Sequence, residues 1–175
     1  MEAKAVKILD QHGIMAIATL RPDGWPQNTY VAYANDGTLI YFLVSRSSQK
    51  FANIRADQRV AIAIGSDEGD LRQHQGLTLA AIASEVTDLH QRERALELML
   101  RRHPAHARFG VPDFAMAAMM RAQPSVISIL DYTQGFGHVD EITLGASDVP
   151  DMSPARTDNW GWKPAPSEPD SSFLA

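Results

Sequence analysis

The chain contains no cysteine, which excludes disulfide staples, thiolate metal centres and cysteine nucleophiles. It has no apolar run of membrane-spanning length, and its first residues lack the charged-then-apolar layout of a secretory signal. The expectation is a soluble, cytoplasmic protein with no membrane partner. Positive charge is scarce: 16 Lys plus Arg stand against 21 Asp plus Glu, which argues against a broad basic face and hence against a nucleic-acid partner. Ser125 and Ser128 lack the glycine pattern of a nucleophile elbow, so serine hydrolysis has no signature here. No internal repeat is present. What remains is a chain of 175 residues, 45% of them apolar, which is enough to bury the core of one domain.

The pattern is dominated by short alternating segments bounded by turn residues. Ile14 to Leu20, Gln27 to Ala34, Leu39 to Val44, Arg59 to Ile64, Gly76 to Val86, Ser125 to Tyr132 and His138 to Leu144 all read as strands. Arg21-Pro22-Asp23-Gly24 and Asn35-Asp36-Gly37 are tight hairpin signals, and Gln134-Gly135 joins the last two strands. Glu2 to Gln11 reads as an amphipathic helix with Ala5, Ile8 and Leu9 on one side, closed by His12-Gly13. Ser48 to Ala56 reads as a short helix, and Gln91 to His103 as a longer one with Leu96, Met99, Leu100 and His103 on one face. Asp113 to Arg121 reads as a further helix, its Met116, Met119 and Met120 placed for helix packing. Gly65 to His74 reads as a loop. The fold class expected is mainly β: a six- or seven-stranded antiparallel barrel, closed or partly closed, with flanking helices.

From Gly145 onward the composition changes. Residues 145–175 carry Pro150, Pro154, Pro164, Pro166 and Pro169, half of the 10 prolines, together with most of the net negative charge. The expected organisation is a domain over 1–144 and an extended acidic tail over 145–175. Trp160 and Trp162 are costly to leave in water and are expected to dock on the body or on a neighbouring subunit.

The most informative segment is LIYFLVSRSSQKFANI, residues 39–54. A strand pattern breaks into Ser45, Arg46, Ser47 and Ser48, then resumes as a helix with Phe51 and Ile54 three apart. Ser47 or Ser48 can cap that helix, leaving free N–H groups and a positive dipole end beside hydroxyls, Arg46 and Lys50. That junction is a candidate phosphate site. Other constellations read as structural. His103 and His106 flank Pro104 and mark a helix stop, so no metal site is expected. His138 and Asp140 share a strand face as a surface or interface pair.

The order of these elements resembles the pyridoxamine-phosphate-oxidase-like FMN-binding split-barrel family. The resemblance runs through IMAIATLRPDGWPQNTYVAY, LIYFLVSRSSQKFANIRADQRVAIAI, QGLTLAAIASEV and ILDYTQGFGHVDEITL, which span about residues 14 to 144. It implies FMN in a cleft between two subunits of a homodimer, its phosphate held at Ser45, Arg46, Ser47 and Lys50. Asn28, Thr29 and Tyr30 would flank the ring, Leu43 and Val44 would supply backbone and apolar contacts, and Gln75 would stand near the flavin. The implied activity is electron transfer between a reductant such as NAD(P)H and a small organic substrate, with no catalytic side chain identified. Relatives on this barrel bind deazaflavin or haem instead, which keeps a deazaflavin-dependent reductase and a non-enzymatic storage or sensing protein as alternatives. The last strand region, GFGHVDEITL, carries no Arg-x-His, so pyridoxamine phosphate itself is not implied as substrate.

Overall fold

In the computed structural model, which describes residues 1–65 and 69–145, seven strands form one antiparallel sheet. They are β1 (Ile14–Leu20), β2 (Pro26–Asp36), β3 (Leu39–Ser45), β4 (Arg59–Gly65), β5 (Gln75–Glu85), β6 (Ala117–Asp131) and β7 (Val139–Thr143). Their order is β3-β2-β1-β4-β5-β6-β7, and a further pairing of β3 with β6 closes the first six into a barrel. The expected mainly β, antiparallel split-barrel architecture is therefore present. The β2–β3 hairpin turns at Gly37, whose φ of +60° lies in the left-handed region that side chains with a Cβ avoid.

Three helices complete the fold: α1 (Glu2–Gln11), α2 (Gln49–Ala56) and α3 (Leu89–Arg102). Ala5, Ile8 and Leu9 of α1 enter the same buried cluster as Phe51 and Ile54 of α2 and the inward residues Met15, Ile17, Ile62, Leu79 and Ile127. The two helices thus insert apolar faces into one barrel core, each fully buried aliphatic side chain contributing about 1.5–3 kcal/mol. α3 lies outside the barrel, where Ala95 and Met99 meet Ala34, Tyr41, Val86 and Met119 in a second cluster. Asp88 begins α3 by accepting from the Gln91 amide at 2.7 Å, as a capping aspartate does. No described helix is long and apolar enough to cross a membrane.

One element differs from expectation. Asp113 to Arg121 is not a helix: a single turn at Asp113, whose carbonyl accepts from the amides of Met116 and Ala117, leads directly into the 15-residue strand β6. Met116 precedes the strand and is exposed, while Met119 and Met120 are adjacent and both apolar because this part of β6 is buried on both faces. Ala118, Met120 and Ala122 point into the barrel core, while Met119 points into the outer cluster beneath α3. A strand buried on both sides loses its alternation and imitates a helix face.

β6 is also where the barrel closes. Residues Ala117 to Ala122 pair with β3, whereas Val126 to Leu130 pair with β7. Between them lies a bulge in the pairing with β5, where Ala80 faces Val126 and Ala81 faces Pro124, leaving Ser125 extra. Pro124 has no N–H to give a ladder, and bulges are where a strand tolerates proline and changes direction. The Ser125 carbonyl then accepts from Leu144 N at 2.8 Å.

Asp131, at the end of β6, is 3% exposed and fully engaged. Its carboxylate takes Lys4 Nζ at 2.6 Å, Gln75 Nε2 at 3.0 Å, Thr133 Oγ1 at 2.6 Å and Gln134 Nε2 at 3.0 Å. Burial alone pushes this carboxyl up, but the four side-chain hydrogen bonds outweigh it and hold the group well below the usual carboxylate range. A depressed carboxylate stabilises the fold at neutral pH, and that contribution is lost as pH falls below the unfolded value of about 3.9. Asp131→Asn should therefore cost about 1.5–3 kcal/mol at pH 7. Chemical denaturation should show the difference from the parent chain constant from pH 7 to about 5 and narrowing as pH drops below about 4.

Candidate functional site

β2 and β3 pair only from Tyr33–Phe42 to Asp36–Leu39. Beyond that point they part. Residues 26–32 of β2 pair with β1 alone, while Leu43, Val44 and Ser45 continue on β6. The N-terminus of α2 stands at this split. Asn53, with no exposed surface, ties the helix to the diverging strands: its amide donates to Thr19 Oγ1 at 3.0 Å and to Gln27 Oε1 at 3.0 Å. Its carbonyl accepts from Gln49 Nε2 at 2.8 Å.

The junction expected to bind an anion has a defined geometry. Ser48, not Ser47, is the cap: its Oγ accepts from Phe51 N at 3.2 Å and donates to the Ser45 carbonyl at 2.7 Å. The Ser45 and Ser47 hydroxyls are exposed and 2.8 Å apart. Of the first-turn amides of α2, that of Phe51 is taken by the Ser48 cap, while those of Gln49 and Lys50 have no acceptor within the helix, the arrangement of an anion-binding helix end.

The two cations behave differently. Lys50 is half-buried, burial lowers its pKa, and it has no ion-pair partner among the described residues. Arg46 is already engaged. Both its terminal nitrogens reach the Glu85 carboxylate, its Nε donates to the Phe114 carbonyl at 3.0 Å, and it lies 5.5 Å from the centre of the Phe51 ring.

The remaining expected residues fall into separate places. Strand alternation puts Asn28 and Tyr30 on the outer face of the sheet, with Tyr30 82% exposed. Thr29 turns the other way, and its Oγ1 is buried with no hydrogen-bond partner. Leu43 packs with the outer cluster and Val44 with the barrel core. Gln75 is not near the junction. α2 meets the sheet at Thr19, which pairs with Val60 and through it with Ala81. From Ala81 back to Gln75 along β5 is about 20 Å at strand rise.

Between these ends lies a surface that sequence reading missed. Two cross-strand rows cover the outer face: Asn28-Ala18-Ala61-Ala80-Val126 and Tyr30-Ala16-Ala63-Thr78-Ser128-Glu141. They line a shallow depression of about 360 Å³. The alternate alanines of β1 and β4 carried the signal, but small residues in a strand are as easily read as filler. His103 and His106 form a stack with ring centres 4.9 Å apart, and His103 Nε2 lies 2.8 Å from the Tyr33 carbonyl, which anchors the end of α3. The docking expected of Trp160 and Trp162, and the tail from residue 146 on, lie outside the described residues.

The pyridoxamine 5'-phosphate oxidase family profile matches residues 1–131. No curated protein sequence matches the chain. Among solved structures, a haem-binding protein from Mycobacterium smegmatis is 24% identical with a TM-score of 0.67, covering 81% of this chain and 56% of that one. The chain thus spans little more than half of that relative. The haem storage protein of Vibrio cholerae is 21% identical with a TM-score of 0.60, covering 70% and 89% of the two chains. An FAD-binding protein from Mesorhizobium loti is 19% identical with a TM-score of 0.59, covering 73% and 91%. At these identities the likeness is one of fold.

The capping assignment is directly testable. Ser48→Ala should lower stability by about 1 kcal/mol, and Ser47→Ala should leave it unchanged, when the two variants are compared by urea unfolding.

Proposed function

The chain belongs to the pyridoxamine 5'-phosphate oxidase family, and on that premise we propose that it is an FMN-binding oxidoreductase working as a homodimer. Its role on this reading is to pass electrons between a reductant such as NAD(P)H and a small organic substrate. The observation that carries the proposal is the β3–α2 junction: Lys50 and the buried Thr29 hydroxyl, both without a partner among the described residues, the exposed Ser45 and Ser47 hydroxyls, and the first helix amides beyond the Ser48 cap, at one split in the barrel. Those donors fit a phosphate monoester joined to a polar, planar group. When bound, FMN supplies the electron chemistry itself.

The chain's own residues then have holding and shielding work. Lys50 and Ser47 fix the phosphate end. Thr29 gives its hydroxyl to a ligand in the split, which satisfies a group otherwise buried without a partner. Asn28 and Tyr30, on the outer face, border the ring and exclude water from one side of it. Gln75 has one amide N–H committed to Asp131, so its other N–H and its carbonyl are available to the pyrimidine edge.

The separation of Gln75 from the junction supports the dimer. One chain keeps them about 20 Å apart along the sheet, so both serve one flavin only if a second copy brings its Gln75 across. The alanine rows allow such an approach, because small side chains let two sheet faces come close. Light scattering should report a dimer, and a monomer that binds FMN tightly would overturn the shared site.

The absorption spectrum of the purified protein tests the cofactor. Flavin bands bleached by NADH or NADPH are expected. A Soret band would replace this reading with haem binding, and flavin bands that no nicotinamide bleaches would replace it with storage or sensing. Titration of the apo-protein provides the site test. Lys50→Ala should weaken FMN binding by about tenfold or more, the worth of one charged contact, and an unchanged affinity would remove the junction from the site.

A further inference from the structure

We infer that Arg46 is a positioning residue, joined to Glu85 so as to hold the phosphate-binding turn in shape, and that Lys50 is the cation which contacts the anion. This rests on the flavin reading above and assigns Arg46 a role other than the direct phosphate contact implied by family resemblance.

The argument begins with what Arg46 touches. The residue lies in the turn between β3 and α2, yet its guanidinium is bound at the end of β5 and not to the Ser45 and Ser47 hydroxyl pair. Glu85, the last residue of β5, takes both of its terminal nitrogens, a paired fork that a guanidinium makes better than any other side chain. The third donor, Nε, goes to the Phe114 carbonyl at 3.0 Å. The Arg46 backbone amide donates to the Met116 carbonyl at 2.9 Å. One residue thereby fastens the turn to β5 and to the segment leading into β6.

Arg46 keeps two N–H bonds outside these contacts, but turning the guanidinium onto the hydroxyl pair would break its fork to Glu85 and leave a carboxylate 30% exposed without its cation. Lys50 faces no such cost. It is already desolvated and has no partner among the described residues. The division of labour follows: Lys50 supplies the charge, and the Arg46–Glu85 pair supplies the shape of the loop that presents Ser47 and the helix amides.

The sign of one substitution separates this from direct binding. If Arg46 were an anion ligand restrained by Glu85, Glu85→Gln would free it and tighten FMN. As a positioning pair, Glu85→Gln and Arg46→Ala should each weaken FMN by about threefold or more, and the double variant should be no weaker than the worse single one, as expected of coupled residues. Riboflavin, which lacks the phosphate, should bind all three variants as it binds the parent. Tighter FMN binding by Glu85→Gln, or additive losses in the double variant, would overturn the inference. Should the parent bind neither flavin, the functional proposal fails. The pair is then judged by thermal unfolding of the same four proteins, where equal and non-additive losses support the strut and independent losses refute it.

Discussion

The hydrogen bonding of β6, first to β3 and then to β7, is the constraint on which the rest of the molecule depends. A strand can pair on two edges only, and β5 occupies one of them from Met120 to Asp131. The other edge is divided at Pro124 and Ser125, where the missing N–H and the extra residue end one ladder and allow another to begin. β3 is held by β6 from Ile40 to Ser45, and of these only Ile40 to Phe42 also pair with β2, so past Phe42 the two strands part. The opening lies where β3 keeps β6 and leaves β2.

Everything that makes a site plausible is arranged around that opening. α2 fills it, sealed by Phe51 and Ile54 in the core and by the Asn53 bridge to Thr19 and Gln27. The same helix directs its free amides and Lys50 outward. At the other end of the sheet α1 makes the matching seal, with Ile8 and Leu9 inside and Lys4 on Asp131. Asp131 therefore serves two purposes at once: it fastens α1 and fixes one N–H of Gln75. The two ends are linked by a face of alanines. On our reading that face brings the Gln75 end of one copy to the α2 end of another.

Much of this was legible before any coordinates. The hairpin at Gly37 follows from Asn-Asp-Gly, the α1 face from the spacing of Ala5, Ile8 and Leu9, and the capped start of α2 from serines preceding a helical pattern. The first part of β6 was not legible, because burial on both sides at Ala118, Met119 and Met120 removes the strand alternation there. Local sequence also left Ser47 and Ser48 as equal candidates, since either hydroxyl is near enough in sequence and only backbone geometry selects Ser48. For Arg46, a candidate phosphate ligand by its position, local sequence shows the charge without showing its partner. Glu85 lies 39 residues away.

The sequence by itself determined the class of fold, the hairpin pairings implied by its turns, and the chemistry gathered between Ser45 and Lys50, because the turns and the junction depend on neighbours within a few residues. Tertiary structure alone decided which of those groups are free. Pairing across the barrel committed Arg46 to Glu85, left Lys50 and the buried Thr29 Oγ1 without a partner among the described residues, and set Gln75 at the far end of the sheet. The physical reason is common to all three: a side chain's availability is fixed by contacts distant in sequence, and barrel closure creates those contacts.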